Sequence, residues 1–298
     1  NIGCTTMTKT KTVSGRTLTI ASKVLMYLLL IVLATIVLLP FYFMVESSFK
    51  TYAEALGKFT WWPQEFTAEA YNYILGDNPF RINLLSSFGV TLLVTVPTMA
   101  VGIFVSSMSA YVFAKRSFDG RGALFGVLLF TMMLPGTILM MPQYLIFSEM
   151  ELVGTVLPLM LPGMFGSATC VFFMRQFIRG IPDSIVDAAK VDGLGHFKIF
   201  VLIILPLAWP ALISQIVLWF LAGYNDYMGP LIYLSTSAMN EKTLQVALAY
   251  FSFSQSKGME NIPAIMAGAV LTVIPPLVLY MAFQKFFISG LVVSGLKD

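Results

Sequence analysis

Charge is scarce in this sequence. Of its 298 residues, 18 are Lys or Arg and 15 are Asp or Glu, 11% in all, against 57% hydrophobic. Soluble domains run nearer a quarter charged, so a water-soluble helical core is excluded for want of a charged shell. The one histidine, His196, rules out two-histidine zinc motifs. The two cysteines, Cys4 and Cys170, lie in a tail and in an apolar run, which supports neither a disulfide framework nor a metal cluster. No Gly-x-x-x-x-Gly-Lys-Ser/Thr loop is present to cradle nucleotide phosphates, and no Gly-x-Ser-x-Gly elbow presents a nucleophile. No catalytic residue, metal ligand or bound cofactor is therefore assigned to the chain. Its net charge of +3 gives no ground for a nucleic-acid partner.

What the sequence has in quantity is long apolar runs. Uncharged stretches at 24–45, 82–114, 122–148, 152–174, 199–225 and 261–284 each reach the roughly 20 helical residues that cross a bilayer core. Membrane β-strands would show short alternating segments instead. The expected fold class is all-α integral membrane, with six transmembrane helices over 24–288 between tails at 1–23 and 289–298. The run 24–45 outlasts an apolar signal core and lacks a small-residue cleavage pattern, so it is read as a retained span. The opening NIGCTTM does not start on methionine, and Met7 is read as the initiator.

The basic residues fall unevenly about these spans. Thirteen lie in the N-terminal tail, the second and fourth connections and the C-terminus; the first, third and fifth connections hold three, none and two. The positive-inside rule places the thirteen in the cytoplasm, with both chain ends. The longest external connection, about 46–83, carries WWPQ and AEAYNYIL. Its aromatic residues suit the membrane interface or the docking of an external partner. Gly102, Ser106 and Ala110 form a small-residue ridge, and Gly122 with Gly126 a second one, both suited to close helix packing.

One stretch breaks the apolar pattern on the cytoplasmic side: IPDSIVDAAKVDGLGHFKIFVLIILP, 181–206. Pro182 suits the first turn of a helix, and Asp183 and Asp187 favour its positive end. Gly193 is the expected left-handed stop, just after Asp192. Ile181, Ile185, Ala188 and Ala189 share one side at helical spacing. So short a helix needs a surface, either the membrane interface or a socket on a protein partner. His196 is read as an interfacial or solvated side chain. A second anomaly is Asp226, which follows 27 uncharged residues in AGYNDYMGP. Intramembrane carboxylates are costly, so Asp226 either lines a polar path or caps a helix break. Tyr224, Asn225 and Tyr227 beside it would suit a hydroxyl-rich ligand.

DAAKVDG, followed after nine residues by IILP, resembles the Glu-Ala-Ala-x-x-x-Gly signature of the inner-membrane permeases of binding-protein-dependent ABC importers, with Asp187 at the glutamate position. NDYMGPLIYL, TLQVAL and the C-terminal GLVVSGLKD resemble the carbohydrate branch, a maltose-permease-like six-span subunit. The resemblance implies a type I importer permease fold in a bacterial inner membrane. It implies a coupling helix within the loop 176–206 that meets a dimer of ATP-binding subunits through Pro182, Asp183, Asp187, Ala188, Ala189, Asp192 and Gly193. It also implies tail contacts through Ser294, Gly295 and Lys297, and an external loop, 235–261, that reaches a solute-binding protein from positions such as Gln255 or Lys257. A second homologous permease would complete the sugar path. ATP and Mg would sit on the partner ATPase, so this chain is expected to be no enzyme. The competing class is a secondary transporter or channel, which generally keeps ionisable residues at mid-membrane and often shows inverted repeats.

Overall fold

The computed structural model describes residues 14–76, 78, 81–253 and 261–295, which are helical with no strand among them. The major helices are α1 (Ser14–Ser48), α2 (Leu84–Lys115), α3 (Arg121–Met132), α4 (Gly136–Glu149), α5 (Leu157–Met164), α6 (Ala168–Arg179), α7 (Asp183–Val191), α8 (Trp209–Tyr224), α9 (Met228–Tyr233), α10 (Leu244–Phe253) and α11 (Ile262–Gly295). Four apolar stretches are long enough to cross a membrane: Ser22–Ser48, Leu84–Lys115, Leu157–Arg179 and Ile262–Gln284. Two further apolar runs among the described residues are bent helix pairs, which make six spans if each pair crosses as one.

The bends fall at prolines in two of the apolar runs. The third run breaks between α3 and α4 with a bend of 94°, at an extended Pro135. The fifth breaks at Ala208, where His196–Leu207 meets α8 at 80°. Pro206 and Pro210 bracket that bend, each removing a backbone donor, and the preceding turn at Phe200–Ile204 widens to π geometry. Residues 199–207 therefore extend the charged loop's structure, and only Trp209–Tyr224 forms the straight part of span five.

Helix α2 holds the rest together. It packs against α5, α6, α8 and α10, and it does so through one stripe of small and hydroxylated residues. Ser87, Thr91, Thr95, Thr98, Gly102, Ser106 and Ala110 follow each other three or four apart, and all are buried. The ridge expected at Gly102, Ser106 and Ala110 is the lower half of this stripe. At Gly102 a Cβ would stand 2.4 Å from the Gly163 carbonyl oxygen and 2.7 Å from the Trp219 ring. A Cβ on Gly163 would stand 2.4 Å from the Thr98 methyl. Spans two and four thus approach backbone to backbone, as small residues permit in lipid. Just below, α5 and α6 part at Gly166, whose φ of +100° suits glycine. The freed N–H of Ser167 donates to Ser106 Oγ at 2.9 Å.

Two hydrophobic clusters flank this contact. One joins Ile103, Tyr111, Met174 and Ile178 to Val186, Ile199, Phe200 and Ile204. The other joins Ile74, Ile82, Phe220 and Tyr224 to Leu244, Phe251 and Ala267. Helix α1 stands apart, packed against α11 and exposed along its apolar length, as a lipid-facing rod would be. Phe59 and Trp61 fold back onto Phe43 near its end, at 5.4 and 5.5 Å between centroids. Trp61 and Trp62 stay exposed there, in keeping with an interfacial position.

Gly102→Ala is expected to destabilise the folded chain by about 1–3 kcal/mol, because backbone cannot yield to the added methyl. Thermal unfolding of the purified protein checks this against Gly122→Ala, whose Cβ meets nothing within 4 Å. Equal melting temperatures would refute the close-contact assignment.

Candidate functional site

The charged stretch folds as expected into a short helix with a defined stop. Asp183–Val191 is helical, and Gly193 takes φ +81°. The N–H of Leu194 reaches the Ala189 carbonyl at 3.0 Å, and that of Gly193 reaches Lys190 at 3.0 Å. This is the paired closure of a Schellman stop, which requires the left-handed residue. Pro182 sits one position earlier than expected, as the extended residue before the helix. The inward side is also rotated from the expected one. Val186 and Ala189 are buried, with Ile181 just before them and Ile185 partly covered, whereas Ala188 is exposed. The stripe centres between 186 and 189, so Ala188 falls on the outer flank with Ser184, Asp187 and Val191. Val191, an apolar side chain, is 88% exposed.

Polar contacts hold both ends of α7 to the end of α2. The Lys115 side chain is 3% exposed, and its Nζ donates to Asp183 Oδ1 at 2.6 Å and to the Ile181 carbonyl. Asp183 in turn is held below the usual carboxylate range, first by the Lys115 hydrogen bond and then by its charge. That contribution is present above the ordinary carboxylate value and is lost as pH falls through the lowered one. Beyond the other end, Arg116 Nη1 lies 2.5 Å from His196 Nε2. Arginine has only donors, so Nε2 accepts. The imidazole proton then sits on Nδ1, facing the Tyr111 hydroxyl at 3.3 Å. Burial, then the charges of Arg116 and Lys190, push His196 below its ordinary value of 6.5.

At the far end of the stripe lies a cavity of about 150 Å³, lined by Thr91, Thr95, Thr98, Gly163, Trp219, Asp226 and Thr243 among others. Thr91 is satisfied: its hydroxyl donates to the Ser87 carbonyl at 2.9 Å and accepts from the Leu244 N–H at 2.8 Å. Thr95 and Thr243 are buried, and their hydroxyls have no hydrogen-bond partner among the described residues. At about 30 Å³ per molecule the space suits a few waters, which such hydroxyls need. Asp226 Oδ1 accepts the Gly229 N–H at 3.3 Å, capping α9. Asp226 therefore caps the break and also lines the cavity.

Its neighbours diverge. Tyr224 is fully buried on the other side, stacked on Phe220 and donating to the Thr272 carbonyl at 2.8 Å, so it ties span five to span six. Asn225 is exposed and closes α8 through the Leu221 carbonyl at 2.9 Å. Tyr227 is half-buried beside the break. The sequence reading missed the threonines, Lys115 and Arg116. The threonines were findable by running the Gly102 ridge toward the N-terminus in steps of three or four residues; the basic pair was counted only for orientation. Ser294 and Gly295 lie in the last turn of α11, and nothing is described of their side chains. Lys297, Gln255 and Lys257 lie outside the described residues. No group of three or more metal-binding side chains occurs among the described residues.

Comparison with known proteins adds independent weight. Residues 73–292 match the family described as "Binding-protein-dependent transport system inner membrane component". The chain is 33% identical over 210 residues to the arabinooligosaccharides transport system permease protein AraQ of Halalkalibacterium halodurans, covering 70% of this chain and 73% of that one. It is 30% identical over 286 residues to the polygalacturonan/rhamnogalacturonan transport system permease protein YtcP of Bacillus subtilis, covering 92% and 97%. It is 33% identical over 222 residues to the sn-glycerol-3-phosphate transport system permease protein UgpE of Yersinia pestis, covering 74% and 76%. Its fold resembles a chain in the crystal structure of a bacterial ABC transporter that imports the acidic polysaccharide alginate. The TM-score is 0.78 at 24% identity, over 94% of this chain and all of that one.

Protonating His196 would set a cation against Arg116 and Lys190, so its neutral form belongs to the folded state. Stability from this contact is complete above the ordinary value of 6.5 and is lost as pH falls through it toward the lowered one. Between about pH 7.5 and 5.5, amide exchange corrected for intrinsic rate should speed up across 194–199 in the wild type and not in His196→Gln. The same acid response in both proteins would refute the tautomer assignment.

Proposed function

Since the chain belongs to the family of inner-membrane components of binding-protein-dependent transport systems, and is a multi-pass ABC importer permease and not an enzyme, we propose that it forms half of a membrane path for a sugar or oligosaccharide. The observation that carries the coupling assignment is α7. It is a short helix fixed on its inner side and closed by a Schellman stop, and it presents Ser184, Ala188 and Val191 outward. An 88% exposed valine, one turn from an exposed alanine, suits a hydrophobic socket on a partner. The surplus of basic residues on this face supports a cytoplasmic position for it and for both chain ends.

The relatives named for arabino-oligosaccharides, pectic polysaccharides and glycerol phosphate support a hydroxyl-rich substrate. The path side is supported by the break in span four. Phe165 is 81% exposed there, and the carbonyls of Phe165 and Gly166 accept no hydrogen bond from the described residues. Irregular backbone at membrane depth must meet protein or water rather than lipid. A second, homologous permease across a shared path supplies both. In the working cycle a solute-binding protein delivers sugar at the outer face. A dimer of ATP-binding subunits, which holds ATP and Mg, closes beneath α7. The chain transmits that displacement to its spans and performs no bond chemistry.

Two outcomes test the assignment. Ala188→Arg places a long cation on the outer flank, and Gly193→Pro forces φ near −65° where +81° is required. Each should lower uptake about tenfold or more with normal membrane insertion, through loss of one buried contact of about 1.4 kcal/mol or above. Wild-type uptake with normal ATPase co-purification in both would sink the docking role. For Asp226, the Asp226→Asn variant keeps the Oδ1 acceptor for Gly229 and removes the charge. Uptake should fall severalfold while the complex assembles and hydrolyses ATP as before, a change in ligand handling worth about 1 kcal/mol. Unchanged uptake would leave Asp226 as a helix cap alone.

A further inference from the structure

We infer that Lys115 and Arg116 are the positioning residues that make α7 move as one body with span two, so that the stroke at the coupling helix enters the membrane through α2 in preference to the covalently continuous span five. The inference rests on the docking of α7 proposed above.

The two residues are consecutive, and they grip the coupling helix from both sides. Lys115, the last residue of α2, holds Asp183, the first residue of α7, and the carbonyl of Ile181 before it. Arg116 holds His196, five positions after α7 ends, and Tyr111 one turn back on α2 faces the other nitrogen of the same ring. Between these points Val186 and Ala189 sink into the cluster that contains Tyr111, Ile178 and Ile199. The segment from Ile181 to His196 is thus tied at two separated points and packed between them. A body tied at two points cannot swivel about either one.

The route along the chain is softer. From His196 toward α8 it passes a π turn at Phe200–Ile204 and an 80° bend at Ala208, flanked by Pro206 and Pro210. Such breaks are where helices flex. By contrast α2 runs without a break over 32 residues, across its own Pro97, roughly 48 Å at 1.5 Å per residue. Its far half carries Thr91, Thr95 and Thr98 on the cavity wall. A displacement at Lys115 therefore reaches the cavity through one uninterrupted helix. Asp183 is 80% exposed at its side chain while Lys115 is almost wholly covered. Lys115 keeps the Ile181 carbonyl when the exposed carboxylate is removed, so the loss costs little folding stability, and Asp183→Ala, which leaves no acceptor, reports on the contact even where a Lys115 variant folds poorly.

The test uses the complete transporter in proteoliposomes with its binding protein, and reads sugar moved per ATP hydrolysed. Lys115→Met and Asp183→Ala should each lower that ratio, the former by about fivefold or more, while complex yield and hydrolysis persist. Lys115→Arg should restore most of it, and the double variant should be no worse than Lys115→Met, since both changes remove one contact. Wild-type ratios in Asp183→Ala and Lys115→Met would overturn the clamp, as would losses that simply add. If Lys115→Met fails to assemble, a wild-type ratio in Asp183→Ala alone overturns it. The docking reading fails separately, when Ala188→Arg keeps both ATPase co-purification and uptake.

Discussion

The contact at Gly102 and Gly163 is the constraint on which the other features depend. In lipid, apolar side chains gain nothing by leaving lipid for one another, so helices associate through close packing and interhelical hydrogen bonds. Here the backbones of spans two and four meet with no room for a methyl on either side. That approach seats Trp219 of span five in the same crossing and brings Ser106 to the N–H freed where span four breaks. Above the crossing the stripe on α2 turns from glycine to threonine, and a small polar cavity results. Below it, just past the stripe's last residue, Lys115 ends α2 and takes hold of α7. The cavity and that contact therefore lie toward opposite ends of one helix.

Breaks in the spans carry a cost that the fold meets locally. Each interruption frees backbone groups that hydrocarbon cannot satisfy. Ser106 answers for Ser167, Asp226 for Gly229, and Asn225 for Leu221. Thr95 and Thr243 are left to the cavity, where water or a hydroxylated ligand can answer them. The interruptions near 133–135, 165–167, 208 and 225–227 divide the continuous helices α1, α2 and α11 from the broken pieces around them.

Several features were legible in the residues alone. Long uncharged runs require spanning helices because lipid leaves backbone groups no other partner. Gly193 had to end α7, because only glycine takes a left-handed stop at no cost, and it does so at φ +81°. Asp226 stood out by its charge, and the Glu-Ala-Ala-like pattern around Asp187 pointed to the family that the matches over 73–292 establish. These are local properties, decided by each residue's own chemistry and its near neighbours in the chain.

Other features depend on which surfaces meet. Helical spacing grouped Ala188 with Ala189, yet packing on Tyr111 and Ile199 turned Ala189 inward and Ala188 out. Tyr224 and Asp226 are two residues apart and face different regions, because the helix ends between them. Prolines at 206 and 210 announce a weak helix, but the 80° bend at Ala208 comes from where the flanking segments find partners. Lys115 looked like one positive charge among thirteen on its side. Its burial against Asp183, a residue 68 positions away, arises only when α2 and α7 are brought together. Hydropathy and backbone conformation act over a few residues and were determined by the sequence by itself; the pairing of distant polar groups is decided by tertiary packing.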